Sequence, residues 1–264
     1  LELDSRSFVK GFRALLSFFT TLPVGTAPLS EAAREFYLIN VIGLIEGFIT
    51  GVMLYMFSYI VKDQMLLAVL YLVLHVVLTG GLHLEGFADY SDAIGAHKRG
   101  VEAVRIIKDP RRGSFALILL LLNMISTFSS IIIMLRALSP GALIPILTWI
   151  YILAAESMYI LCVFGLPEPY AGISRDFVES AKRRKNIVKN IIVTFAIFLT
   201  LLLLFDIHPL LIIFTTLATV ITCLAVLLDV SKRLGFVNGD ALGFCYEITR
   251  VVNMVIASAI SQYL

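Results

Sequence analysis

Glu85, Asp89 and Asp92 fall within eight residues of the stretch TGGLHLEGFADYSDAIGAHKRG, residues 79–100. In a helix, steps of four and then three place the three carboxylates on one face. Like charges at such spacing destabilise a helix by roughly 0.2–0.5 kcal/mol per pair, so a cation is expected among them. A hard divalent ion suits oxygen donors, and Mg²⁺ commonly takes one or two carboxylates together with substrate phosphates. The spacing therefore predicts a metal-binding face of Glu85, Asp89 and Asp92. The competing reading is a solvated acidic turn paired with the arginines that follow. Gly80, Gly81 and Gly86 let backbone approach a ligand closely, or else serve close helix packing. His83 lies off the carboxylate face and is a candidate base or substrate contact, although a lone His is more often a satisfied structural residue.

Two further clusters carry charge. In RIIKDPRRGS, residues 105–114, Arg111 and Arg112 are phosphate candidates because a guanidinium offers a planar two-pronged donor. Lys108 supplies a point charge for the same purpose. In RLGFVNGDALGFCYEITR, residues 233–250, Asp240, Gly243 and Glu247 share a helical face that Arg250 continues. Glu247 stands inside an apolar run, where a carboxylate is costly and marks a functional site by default, or else pairs with Arg250. Glu46, His75 and Glu156 are also surrounded by apolar sequence.

The elements that position these residues must span a membrane. The chain has 264 residues, of which 59% are hydrophobic and 15% charged, and its mean hydropathy is +0.94. Soluble domains run near 45–50% apolar and about 25% charged. Spans of about 20 apolar residues are read at roughly 41–61, 66–82, 114–135, 141–164, 187–205, 209–229 and 243–262. Basic residues concentrate in the N-terminal region (Arg6, Lys10, Arg13, Arg34) and in loops 83–113, 165–186 and 230–242. Seven spans with an inside N-terminus put every basic loop on the cytoplasmic side. In FVKGFRALLSFFTTLP, Phe8, Phe12, Leu15, Leu16 and Phe19 recur at helical spacing. This predicts an amphipathic helix in the interface, or packed under the bundle. The expectation is an all-α, polytopic membrane bundle: seven transmembrane helices plus the N-terminal interfacial helix, one domain over 1–264. The net charge of +2 gives no reason to expect nucleic acid, and the three cysteines show no metal-like spacing.

TGGLHLEGFADYSDAIGA, IKDPRRGSF and NGDALGFCYEIT, in this order and with an early FFTTLPV, resemble the cobalamin synthase family of adenosylcobinamide-GDP ribazoletransferases. The shared positions include Gly80, Gly81, His83, Gly86, Asp89, Asp92, Lys108, Asp109, Arg111, Gly113, Gly239, Asp240, Gly243 and Glu247. Glu85 stands where the family usually has Asp, Ala93 replaces a usual Gly and Pro110 a usual Ser. The segment PEPYAGISRDFVES keeps its Pro-Tyr-Ala piece and loses the Arg and Gly-rich continuation.

The resemblance implies Mg²⁺-dependent transfer of adenosylcobinamide phosphate from adenosylcobinamide-GDP to α-ribazole or its 5′-phosphate, with release of GMP. It implies Mg²⁺ on Glu85, Asp89 and Asp92, with Asp240 completing the shell, and Lys108, Arg111 and Arg112 on the phosphates. Asp109, His83 and Glu247 are the candidate general bases. The active site is expected to face the cytoplasm from a multi-pass cell-membrane protein. Membrane lipids, a second copy of the chain and other late cobalamin-pathway enzymes are the further expected partners. The alternatives are a CDP-alcohol type phosphotransferase, which lacks here its second Asp pair, and an ion-coupled transporter using Glu46, Glu156 and Glu247.

Overall fold

The computed structural model describes residues 2–25 and 27–264, with side chains from Ser7 onward in that range. The Arg6 side chain, counted above, lies outside them. The described residues form α1 Glu2–Phe19, α2 Leu29–Arg34, α3 Ile39–Ile60, α4 Gln64–Thr79, α5 Leu82–Gly95, α6 Val101–Ile107, α7 Ser114–Ala137, α8 Leu143–Phe164, α9 Ile173–Ala181, α10 Arg184–Leu204, α11 Pro209–Arg233 and α12 Gly239–Ser261. Apart from one bridge between Pro167 and Val237, no strand pairing is present among them. Six helices, three of them entered through a short preceding turn or a proline, are long and apolar enough to cross a membrane. The count is seven if α4 and α5 together make one span.

That pair is where sequence and structure part. Hydropathy predicts a simple span over 66–82 followed by a loop. Instead α4 ends at Gly80 and α5 begins after Gly81, both glycines being left-handed with φ of 61° and 71°, and the chain bends by 93°. A left-handed backbone is costly for residues with a Cβ, so the two glycines permit the corner. The carbonyls freed at the end of α4 need donors. Thr21, just past α1, supplies them: its N–H donates to the Leu78 carbonyl at 2.8 Å and its hydroxyl to that of Val77 at 2.8 Å.

The centre of the bundle is α8, whose Leu143, Leu147, Ile150, Tyr151, Ala154 and Leu161 are fully buried. Its closest partner is α3. Gly43, Gly47 and Gly51 form a stripe of one small residue per turn, and a Cβ on them would lie 2.4 Å from the Tyr151 carbonyl oxygen, 2.6 Å from Thr148 Cα and 2.8 Å from Ile144 Cα. Such stripes let membrane helices meet backbone to backbone. By contrast α10 and α11 turn Ile191, Phe195, Leu203, Leu217 and Ile221 outward, as lipid-facing helices do.

The N-terminal amphipathic helix forms, and its apolar face is covered by protein: Ala14, Leu15, Leu16 and Phe19 are buried, while Phe8 remains exposed. Phe18 and Phe19 pack on Phe177 of α9, and Phe19 and Phe177 both stack on Phe36. The basic segments gather at one end of the bundle. There the Gly100 N–H donates to the Arg233 carbonyl and the Val237 N–H to that of Leu166. Arg233 also binds Asp229 and the carbonyls of Ala93 and Lys98, tying α11 to the end of α5.

Candidate functional site

Two helices distant in sequence make the site. α5 crosses α12 at Gly86 and Gly243. A Cβ on Gly86 would lie 3.0 Å from Asp240 Cα and 3.3 Å from Gly243 Cα; one on Gly243 would lie 2.9 Å from the His83 carbonyl oxygen. Gly86 therefore serves close helix packing, and it also lines the pocket formed there. The crossing brings Asp240, in the first turn of α12, to the same pocket as Glu85 and Asp89. An acidic side chain is favoured in a first helical turn by the partial positive charge there.

The pocket has a volume of about 250 Å³ and two unlike sides. One carries Glu85, Asp89 and Asp240. The other is apolar and aromatic, with Phe18 and Phe19 of α1, Phe177 of α9 and Met158 of α8. His83 stands in the wall, its ring stacked on Tyr246 at 3.8 Å and on Phe19 at 5.6 Å. It is 2% exposed, and its Nε2 has no hydrogen-bond partner. The aromatic side is what sequence reading missed. Its signal was present in Ile173 and Phe177, one helical turn apart, and in the Phe18–Phe19 pair before Pro23.

Arg112 lies across the mouth of the acidic side. It pairs with Asp89 and, at 3.1 Å, with Glu85. Asp92, expected among the metal donors, points elsewhere: its carboxylate accepts from the Gly113 N–H at 2.6 Å and the Ala116 N–H at 2.8 Å. It thereby caps α7, and Gly113 has no room for a Cβ because Asp92 Oδ1 would lie 2.5 Å from it. Gly80 and Gly81 shape the corner below the pocket and do not line it.

The other basic residues stay at the rim. Lys108 sits over the Tyr170 ring at 5.1 Å. Arg111 is 88% exposed and folds back on Asp109, which accepts from the Arg111 backbone N–H and both prongs of its guanidinium. These hydrogen bonds hold the Asp109 carboxyl down at about 2, far from the neutral range that suits a general base. Glu247 is also committed. It is fully buried, hydrogen-bonded to His75 at 2.9 Å and paired with Arg250 at 2.8 Å. Arg250 extends the network to Asn123 and Thr127, and His75 to Tyr151. Glu46 accepts from Tyr246. Glu156 faces a separate groove beside Trp149 and Phe198 and accepts from Asn190 and Thr194.

The donor chemistry at the pocket fits a hard cation. Three carboxylates line it and one guanidinium faces them, so negative charge is in excess. As they stand, no three His, Cys, Asp or Glu side chains among the described residues are grouped to hold a metal ion. A metal there would share its shell with substrate oxygens and water, the usual habit of Mg²⁺.

The fold and the pocket define a polytopic helical membrane protein with a carboxylate-lined pocket at its basic end. The family model described as Cobalamin-5-phosphate synthase matches residues 11–258, and the chain belongs to that family. It is accordingly an enzyme, a transferase of cobalamin biosynthesis. Curated relatives named adenosylcobinamide-GDP ribazoletransferase are similar over almost its whole length. The one from Fusobacterium nucleatum is 28% identical, covering 92% of this chain and 95% of the relative. Those from Clostridium perfringens (strain SM101) and Syntrophobacter fumaroxidans are 27% and 29% identical, each covering 96% of this chain and 99% and 98% of the relative. No solved structure matches the chain.

Proposed function

We propose that this chain transfers adenosylcobinamide phosphate from adenosylcobinamide-GDP to α-ribazole or α-ribazole 5′-phosphate and releases GMP. The observation that supports it is the convergence of Glu85, Asp89 and Asp240 on one pocket, bounded by Arg112, in a chain with relatives named for that reaction. The acceptor's 3′ hydroxyl oxygen bonds to the phosphorus that carries cobinamide. The bridging P–O bond breaks, the hydroxyl proton passes to a base in the pocket, and the electron pair leaves on GMP. Glu85, Asp89 and Asp240 would hold Mg²⁺, which when bound neutralises the diphosphate.

Phosphoryl transfer is chiefly positioning and electrostatic stabilisation, and the chain's own residues supply both. Arg112 is placed to release the carboxylates and turn to phosphate oxygens. Lys108 and Arg111, which lie outside the pocket lining, would receive the leaving GMP. Of the candidate bases, His83 alone lines the pocket, while Glu247 and Asp109 are held by their own ion pairs. The concentration of Lys and Arg at this end supports a cytoplasmic orientation in the cell membrane. Purified protein in detergent, supplied with adenosylcobinamide-GDP, α-ribazole and Mg²⁺, is expected to release GMP and form a complete corrinoid. No GMP under these conditions, with turnover of a CDP-linked lipid instead, overturns the assignment.

A further inference from the structure

We infer that the recess seats the acceptor: its planar base lies against the Phe19–Phe177 side and its sugar hydroxyls reach toward His83, while of the donor only the diphosphate meets the carboxylate edge and the rest stays outside. This rests on the function proposed above and names which substrate the recess takes.

Size is the first ground. A volume of about 250 Å³ lies below the roughly 300–1,000 Å³ of sites for drug-sized ligands. It suits a nucleoside and is far too small for a corrinoid joined to a nucleoside diphosphate. The division of chemistry is the second ground. A flat heteroaromatic base has a π-face that stacks on aromatic side chains, and Phe18, Phe19 and Phe177 line this side, Phe19 and Phe177 being stacked on Phe36. The cationic groups that suit a diphosphate, Lys108 and Arg111, do not line the recess. The third ground is His83. A buried polar atom without a partner is costly, and His83, which lines this pocket, carries such an atom in its Nε2. A hydroxyl or ring nitrogen of the seated nucleoside would partner it. The same residue stacks on Phe19, so the group that reads the ligand's polar edge is fixed to the surface that holds its flat face. His83 is thus a specificity-determining residue for the acceptor.

Initial-rate kinetics with each substrate varied in turn test the division. Phe177→Leu is expected to raise the KM for α-ribazole at least tenfold and to leave the KM for adenosylcobinamide-GDP within threefold. Ile173→Trp, on a half-buried position of the same side, narrows the recess without emptying the core behind it and is expected to do the same. His83→Ala should weaken the acceptor, with partial rescue by His83→Asn. Lys108→Ala should raise the donor KM and spare the acceptor. A rise in donor KM from Phe177→Leu or Ile173→Trp, or no change in either constant, overturns the inference and leaves the reaction standing. If wild-type protein releases no GMP, equilibrium dialysis with labelled α-ribazole separates the two claims. Saturable binding lost in Ile173→Trp keeps the pocket and rejects the reaction; no saturable binding rejects the pocket as well.

Discussion

Two sets of carboxylates among the described residues, Glu247 inside the bundle and the cluster at its basic end, are treated in opposite ways. Inside the bundle, Glu247 has His75 on one oxygen and Arg250 on the other, and Asn123 and Thr127 take up further Arg250 donors. All of these residues are buried. At the basic end, Glu85, Asp89 and Asp240 share a pocket with Arg112 spanning only two of them. The first group is closed by the protein; the second is left short of positive charge. A buried pair whose lone pairs and protons are used up holds a structure together without inviting a ligand. An acidic pocket short of cations invites one. Glu247, a site candidate because of its apolar surroundings, is thus paired in the manner of a structural residue.

Breaking the closed group should give the largest effect. Arg250→Met strands the Glu247 carboxylate, and removing one partner of a buried pair costs about 3–5 kcal/mol. Unfolding in detergent should show this loss, with part of it recovered in Arg250→Met combined with Glu247→Gln. If Arg250→Met keeps full stability and loses only activity, the interior group belongs to the chemistry and the contrast fails. Asp89→Asn acts on the open group and should behave inversely. Loss of one electrostatic stabiliser costs about 10²–10³-fold in turnover, so GMP release should fall by that factor with the melting temperature retained. A variant with near-normal rates at ordinary Mg²⁺ removes Asp89 from the metal assignment. Arg112→Gln, which frees the carboxylates but removes a phosphate contact, should cost about tenfold in turnover, a single charge-assisted contact being worth roughly 1.5 kcal/mol or more. If activity rises instead, Arg112 acts only as a plug. Asp92→Asn should give the smallest change: a weakened helix cap, worth about 1 kcal/mol, seen as a modest drop in melting temperature. A turnover defect as large as that of Asp89→Asn would return Asp92 to the metal site.

Much of this arrangement can be read from the chain because it is local. Apolar runs of the right length mark the spans, and the structure places helices over each of them. The phase of Glu85 and Asp89 is a property of one helix, and both do line the pocket. What could not be read depends on partners far apart in sequence. Asp92 has the same helical phase as its neighbours, yet the start of α7 claims it. His75 and Glu247 are 172 positions apart, and no periodicity reports that they meet. The aromatic side of the pocket is assembled from α1, α8 and α9, each of which looks alone like ordinary apolar packing. The corner at Gly80 and Gly81 was visible as two glycines, but not as a turn of 93° within a span.

That corner bears on why a reaction between polar molecules is lodged in a bilayer. α4 has 16 residues, hence a length of about 24 Å at the usual rise, and a hydrocarbon core is about 30 Å thick. The helix is thus about 6 Å shorter than that core, and at its end the chain turns into α5 and the carboxylates. A group transfer between two substrates has a permanent competitor in water, whose attack on the donor would waste it. With the acceptor seated against Phe19 and Phe177, as inferred above, the intended hydroxyl would meet the phosphorus beside walls that water wets poorly. Lodging the site in a membrane bundle would then shield the donor from hydrolysis, and the corner at the two glycines would bring the carboxylates of α5 to that wall.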